Sequence, residues 1–139
     1  MLNKTDFYID GAWVPPVAAN PLEVINPADE TAFATISLGG QADVDKAVAA
    51  ARRAFESWSV TPLAERIGLL EALTEVYKRR AGDMAVAIST EMGAPMTLAN
   101  KAQSAAGIGH IKAFIRALKE FDFEHPLRED TPQEYIIHE

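Results

Sequence analysis

Side chains suited to covalent or metal chemistry are few in this sequence. It contains no cysteine, which excludes a thiolate nucleophile, a disulfide and a thiolate metal site. Its three histidines, His110, His125 and His138, match neither a helical H-E-x-x-H pair nor a short metal-ligand spacing. Ser104 precedes His110 on one predicted helix, where about 120° of rotation would separate the two side chains and prevent a dyad.

Two pairs of carboxylates and one pair of glycines remain as candidates for catalysis or cofactor binding. A general acid–base pair among the carboxylates stays open, although Asp43 with Asp45 is typical of a helix start and Glu71 with Glu75 of a solvated helix face. The G-x-G at 107–109 lies within a helical pattern and lacks the preceding strand that a dinucleotide loop requires. The sequence therefore predicts no catalytic residue and no cofactor-binding residue.

The composition is typical of one soluble domain. The chain has 139 residues, of which 48% are hydrophobic and 24% charged. A domain of this size is expected to bury about 68 to 70% of its unfolded surface. The formal net charge of −7 argues against nucleic acid as a partner. Neither a signal peptide nor a membrane-spanning run is found, so we expect a cytoplasmic protein with no membrane partner.

Strand and turn signals dominate residues 7–38. Asp-Gly at positions 10 and 11 separates two aromatic-rich runs and predicts a β-hairpin, because both central positions of a type I′ turn need a positive φ. A second pair of strands is predicted over 22–25 and 33–38, joined by an Asn-Pro turn. The sequence thus predicts β-hairpins over 7–38.

The apolar period then becomes helical, and helices are predicted over 41–121. The first helix has an apolar stripe that needs a partner surface, formed by Val44, Val48, Ala51, Phe55 and Trp58. Thr61 and Pro62 predict the N-cap and the first residue of a second helix. Its buried stripe is predicted to be Leu63, Ile67, Leu70, Leu73 and Tyr77.

Two more helices are predicted after a break at Gly82-Asp83. The third is short and ends at Gly93, and Thr97 is predicted to cap the fourth and longest. The apolar face of this last helix is predicted to be Leu98, Ala102, Ala105, Ile108, Ile111, Ile115, Leu118 and Phe121. Small residues around Gly107 predict the close approach of another element.

The remaining residues, 122–139, predict an acidic connector followed by a β-prone strand over Gln133–His138. Such a strand needs a partner strand or a covering surface. The predicted fold class is α+β, with N-terminal β-hairpins, a helical layer and a terminal strand.

Several short motifs follow one another along the chain. They are FYIDGAW at 7–13, VINPA at 24–28, DVDKAVAAA at 43–51, the set Trp58, Pro62, Glu65, Arg66 and Leu70, and TEMGAP at 90–95. In this order and at these separations they resemble the amino-terminal part of the NAD(P)-dependent aldehyde dehydrogenase family, and the resemblance spans residues 7–139. Two positions depart from the family pattern, since Ala94 stands where lysine is common and Glu91 where aspartate is frequent.

The resemblance implies a parent enzyme that oxidises aldehydes to carboxylic acids with NAD or NADP. It implies that residues 1–121 form the front part of an α/β Rossmann-type cofactor domain. Residues 122–139 would then hold the acidic connector and the first arm of a β-hairpin that bridges subunits. A monovalent-cation site is also implied, formed by the backbone at Ile25 and the carboxylate of Glu91.

In that family the oxyanion-hole asparagine, the cofactor motifs, the general-base glutamate and the nucleophilic cysteine come after the segment matched here. We therefore expect the 139-residue chain to be an inactive amino-terminal fragment that binds no cofactor by itself. Because most of the sheet that such helices cover is absent, we also expect a homo-oligomer through exposed helix faces and the terminal strand. The alternatives are a stand-alone oligomerisation or interaction module derived from the family, and an unrelated acidic helical binding domain.

Overall fold

Residues 1–138 are described by a computed structural model in which strands come first, helices follow and a short ribbon ends the chain. The strands of the first part are β1 (Leu2–Lys4), β2 (Phe7–Ile9), β3 (Ala12–Val14), β4 (Pro21–Asn26) and β5 (Thr31–Ser37). The helical part comprises α1 (Gln41–Trp58), α2 (Leu63–Met92), α3 (Met96–Leu98), a π-helical turn (Ala99–Gln103) and α4 (Ser104–Glu120). The ribbon is formed by β6 (Glu124–Pro126) and β7 (Tyr135–Ile137). No helix within residues 1–138 is both long and apolar enough to cross a membrane.

The two predicted pairs of strands are present. β2 and β3 are antiparallel, and Asp10 and Gly11 between them have φ values of 55° and 80°, as a type I′ turn requires. β4 and β5 are also antiparallel, and the Asn26 side chain accepts a hydrogen bond from the Ala28 N–H in the turn. Within the first part of the chain one strand was not predicted: β1 pairs in parallel with β5 and gives a sheet of order β1-β5-β4.

Helix α2 differs from the prediction, because it runs without a break through Gly82. A glycine in a helix interior costs about 1 kcal/mol relative to alanine, which packing of the flanking turns can offset. Ala85 in the next turn is fully buried, and the Ala81 carbonyl accepts a hydrogen bond from the Ser104 hydroxyl of α4. The predicted N-cap at Thr61 is also wrong, since Pro62 holds that position and the Thr61 hydroxyl donates to the Ser57 carbonyl instead.

The helical segment after Pro95 is interrupted by a π-helical turn that the sequence analysis missed. Pro95 occupies the N-cap, so the prediction that Thr97 caps this helix is wrong. The wider turn hydrogen-bonds the Ser104 N–H to the Ala99 carbonyl, five residues earlier, and places both residues on the buried side. Ala102 and Ala105, which a regular helical period places on that side, are exposed.

The core is made of small residues. The buried hydrophobic residues are Ala34, Ala50, Ala85, Ala99 and Ile115, and the buried polar ones are Asp43, Thr74 and Ser104. The chain exposes 10284 Å², whereas a folded monomer of 15.1 kDa is expected to expose about 7,100 Å². It therefore buries only about half of its unfolded surface, less than predicted. The missing burial lies on apolar faces of both helices and strands that no other element within residues 1–138 covers.

The end of the chain folds back on itself. The stretch after Phe121, predicted to be a connector, contains β6, which pairs with the predicted terminal strand β7 in an antiparallel ribbon. The pairing brings Ile136 opposite His125 and leaves Tyr135 and Ile137 exposed. The described part of the terminal strand thus pairs with β6 of the same chain, while one face of the ribbon remains uncovered.

Candidate functional site

The predicted cation site lies where the end of α2 meets the turn after β4. Glu91 is exposed in the last turn of α2, and Ile25 follows a bulge in β4. The two segments lie against each other, because a Cβ added to Gly93 would stand only 2.9 Å from the Pro27 Cγ. Backbone carbonyl and carboxylate oxygens are suitable ligands for a hard cation. The use of Ile25 and Glu91 as ligands stays a prediction.

Ser104 and His110 occupy different environments on α4. The Ser104 side chain is buried, and its hydroxyl donates to the Ala81 carbonyl of α2 at 2.9 Å. His110 is exposed. The serine hydroxyl therefore serves helix packing.

The glycines at 107 and 109 lie inside α4 and do not form a phosphate-binding turn. Gly107 faces Tyr77 of α2, whose hydroxyl oxygen and nearest ring atoms would lie within 2.5–3.0 Å of an added Cβ. The Tyr77 hydroxyl donates to the Ser104 carbonyl at 3.0 Å. Gly107 thus allows the close approach that was predicted, and the residues present do not fit the pyrophosphate of a dinucleotide.

Glu71 and Glu75 lie on an exposed, ion-paired helix face. Lys78 contacts Glu75 at 2.6 Å, and Lys119 of α4 contacts Glu71 at 3.3 Å. The hydrogen bond from the Lys78 ammonium lowers the pKa of Glu75 below its ordinary value. General acid catalysis at neutral pH needs a raised carboxyl pKa, so the geometry favours the solvated-face interpretation.

Among residues 1–138, Asp43 is the buried carboxylate, and it joins three segments. Its two oxygens accept hydrogen bonds from the backbone N–H of Val17 and of Gly40, each at 2.9 Å. These bonds, with that from Val17 the stronger influence, hold the pKa of Asp43 below its usual value of 3.8. Asp43 therefore lies in the first turn of α1, as predicted, and also fastens the loop after β3 to that helix.

Asp43→Asn is expected to lower the melting temperature at pH 7, because an amide oxygen cannot replace both carboxylate acceptors. A lowered folded-state pKa stabilises the fold above pH 3.8, and this contribution is lost as the pH falls through the lower folded-state value. The difference between the two proteins should therefore shrink below pH 3.8. Thermal melts followed by circular dichroism from pH 7 to pH 3 measure this difference in melting temperature. Asp45→Asn, whose carboxylate accepts from the exposed Gln41 amide, should show no such pattern.

His125 and His138 form a pair that sequence spacing did not reveal. The antiparallel pairing of β6 with β7 brings their rings to a centroid distance of 5.7 Å, and Phe121 packs edge-on against His138. Knowledge of the strand register would have been needed to predict this. Within residues 1–138 no group of three or more His, Cys, Asp or Glu side chains is placed to hold a metal ion.

Large apolar side chains are exposed along several helices of the structure. The α1 apolar face, formed by Val44, Val48, Phe55 and Trp58, is about half exposed along its whole length. It adjoins an open groove of about 500 Å³ beside Trp13 of the β2–β3 hairpin. The expectation of exposed helix faces is confirmed for this stripe. The α4 stripe from Ile108 to Phe121, for which we expected the same, is only partly exposed, because Ile115 packs against α2 and is buried.

Comparison with known proteins agrees with the sequence resemblance. The sequence matches the model of the aldehyde dehydrogenase family over residues 13–139. A 3-succinoylsemialdehyde-pyridine dehydrogenase from a Pseudomonas species is 45% identical over 128 residues, which cover 91% of this chain and 27% of that relative.

Solved structures agree in fold. An aldehyde dehydrogenase from Bartonella henselae has a TM-score of 0.92 at 49% identity, covering 96% of this chain and 28% of that one. A mutant of aldehyde dehydrogenase C from Pseudomonas syringae, in complex with NAD+ and octanal, has a TM-score of 0.85 at 37% identity, covering 87% and 25%. The chain thus spans about a quarter of the length of the relatives it matches. The family match over residues 13–139, together with these likenesses, shows that the chain belongs to the aldehyde dehydrogenase family.

Proposed function

We propose that this chain forms the amino-terminal scaffold of an enzyme that oxidises aldehydes to carboxylic acids with NAD or NADP, and that it is inactive by itself. The proposal rests on one observation: a sequence without cysteine holds the conformation of an aldehyde dehydrogenase over 96% of its length. Acyl transfer through a thiohemiacetal requires a thiolate nucleophile. The chain therefore contributes shape rather than reactive groups.

The scaffold role is performed by side chains that fix helices relative to strands. Ser104 and Tyr77 hydrogen-bond α2 to α4, and Asp43 fastens α1 to the loop after β3. In this proposal residues 1–121 form the front of a Rossmann-type domain, and 122–139 the connector and first arm of an oligomerisation hairpin. NAD or NADP would supply the hydride acceptor and bind to parts of the enzyme other than these residues.

Four further features belong to the same proposal. A monovalent cation would bind the Ile25 carbonyl and the Glu91 carboxylate. Chains without a covering partner would associate as homo-oligomers through the α1 apolar face and the exposed side of the β6–β7 ribbon, which would otherwise leave large apolar areas in water. No nucleic acid or membrane partner is proposed, and the compartment is the cytoplasm. The large exposed area also favours, as a second candidate, a stand-alone interaction module derived from the family.

A transplantation experiment tests the proposed function. The purified 139-residue chain should give no nicotinamide reduction above a no-protein control with a panel of aldehydes and either NAD+ or NADP+. A chimera in which this chain replaces the matching segment of the Bartonella henselae enzyme should reduce the cofactor. The remainder of that enzyme without a replacement is the control. Turnover by the isolated chain, or a folded but inactive chimera, would contradict the proposal.

A further inference from the structure

The two histidines of the β6–β7 ribbon lie on the same face of it. His125 is the middle residue of β6 and pairs with Ile136, and the His138 N–H donates to the Phe123 carbonyl at 2.9 Å. Residues directly opposite each other in an antiparallel pair share a face, and so do residues two apart along one strand. His125 and His138 are therefore diagonal neighbours on one face, although they are distant in the sequence.

The separation of the two imidazole rings suits a single metal ion. Their centroids lie 5.7 Å apart, and the ring planes are tilted by 37°. A zinc ion about 2.1 Å from one nitrogen of each ring, at a tetrahedral angle, would place the centroids about 5.2 Å apart. A small rotation of the exposed His138 side chain is enough to close this difference.

The backbone determines which nitrogen of His125 is available to a metal. Its Nδ1 atom lies 3.2 Å from the Pro126 carbonyl oxygen. Because a carbonyl can only accept a hydrogen bond, Nδ1 carries the proton, and the lone pair of the neutral ring is at Nε2. Metal-bound histidines commonly donate their other ring N–H to a backbone carbonyl in this way. His125 thus has the tautomer and the hydrogen bond of a metal ligand.

Aromatic packing restricts the movement of the ribbon side chains. The Phe121 ring packs edge-on against His138 at a centroid distance of 5.1 Å and against Phe123 at 4.8 Å. The Arg66 guanidinium of α2 lies 5.8 Å from the centroid of the Phe123 ring and joins the ribbon to that helix. Side chains that are already restricted lose less conformational entropy when they bind a ligand.

We propose that His125 and His138 together bind one divalent transition-metal ion, of which Zn²⁺ is the representative, across the β6–β7 ribbon. Imidazole nitrogen suits Zn²⁺, Ni²⁺ and Cu²⁺, whereas Mg²⁺ and Ca²⁺ prefer oxygen ligands. Within residues 1–138 no third His, Cys, Asp or Glu side chain joins the pair. Water molecules would occupy the coordination positions that these residues leave open, so the metal would exchange readily. Its role would be to tie β6 to β7.

Zinc titration of the untagged 139-residue chain tests the site. Isothermal titration calorimetry with zinc chloride at about pH 7.5 should give one ion per chain, and an excess of Mg²⁺ should not displace it. Light scattering should show the same number of chains per particle with and without zinc. Zinc shared between two chains, or a chain that binds no zinc, would overturn the proposal.

Matched histidine variants locate the ligands. His125→Asn and His138→Asn should each weaken zinc binding at least about tenfold, because loss of a mere hydrogen-bond partner of a ligand already costs that much. His110→Asn removes an exposed histidine of α4 and should leave the affinity unchanged. Circular dichroism should show that all three variants are folded. Equal affinity in the original chain and in a variant with both ribbon histidines replaced would mean adventitious coordination only, and would contradict the proposal.

Imidazole nitrogen NMR of the unsubstituted chain provides a test that needs no variant. One equivalent of zinc should shift the Nε2 resonance of His125 and one ring-nitrogen resonance of His138, while those of His110 stay in place. Unchanged ribbon resonances, or an equal shift at His110, would refute the assignment. Either result leaves the proposed function standing, because aldehyde oxidation uses no step at this site.

Discussion

Gly107→Val should destabilise the chain by about 2–4 kcal/mol, which is a large part of the free energy of unfolding of a domain of this size. The new side chain would meet the Tyr77 ring at less than contact distance, since even a Cβ would lie 2.5 Å from the hydroxyl and 2.7 Å from Cζ. Tyr77 cannot easily move away, because its hydroxyl donates to the Ser104 carbonyl. The helices α2 and α4 would have to separate, and that packing surrounds the largest buried side chain, Ile115.

Gly109→Val provides the matched control for this result. Gly109 lies on the same helix, and a Cβ there would meet nothing within 4 Å. Both substitutions change helix propensity by the same small amount, so the difference between them measures the contact with Tyr77. Urea unfolding at one fixed protein concentration gives the two free energies. Equal stabilities for the two variants would show that α2 and α4 do not pack as described.

Gly93→Ala is expected to cost about 2–4 kcal/mol, for two separable reasons. Gly93 ends α2 with a φ of 69°, a left-handed conformation that costs a residue with a Cβ about 1–2 kcal/mol. The added Cβ would also lie 2.9 Å from the Pro27 Cγ in the turn after β4. Relief of that contact would move the end of α2, and with it Glu91, away from the β4 turn.

A double-mutant cycle with Pro27→Ala separates the two contributions. Pro27→Ala removes the Cγ, so Gly93→Ala in that background should lose only the cost of the left-handed conformation. Gly11→Ala is an independent reference, because Gly11 has a φ of 80° and no atom within 4 Å of an added Cβ. Thermal melts of the four cycle members and of Gly11→Ala supply the comparison. A cost for Gly93→Ala that is unaltered by Pro27→Ala would rule out the steric contribution.

Local signals predicted strands β2 to β5 and their turns well, because the causes lie within a few residues. Asp10-Gly11 needs a positive φ at both positions, and the Asn26 side chain bonds the backbone two residues ahead. Family membership could also be predicted, from motifs that mostly mark turns and helix ends. The carboxylates at the start of α1 were interpreted correctly as structural, although the second bond of Asp43, to Val17, depends on tertiary folding.

Features that depend on tertiary contacts were not predictable from one sequence. Gly82-Asp83 is a residue pair typical of a helix break. Helix α2 nevertheless continues through it, because the neighbouring turns contact α4. Strand β6 contains a proline and follows an acidic stretch, so only its pairing with β7 identifies it. The histidine pair at the ribbon likewise arises from strand register. The apolar pattern of α1 by itself predicts a buried helix face. That this face is exposed was expected only from the family resemblance.

The π-helical turn at Ala99–Gln103 holds one residue more than a regular helical turn. If the same residues formed a regular α-helix, everything after them would be rotated by about 100° about the helix axis, which would carry Ile115 away from α2 and Gly107 away from Tyr77. Loss of one residue from the turn would instead leave a regular helix with that packing kept. Homologous chains that are one residue shorter here should therefore have a regular helix, whereas a one-residue deletion within α4 should disrupt its contact with α2.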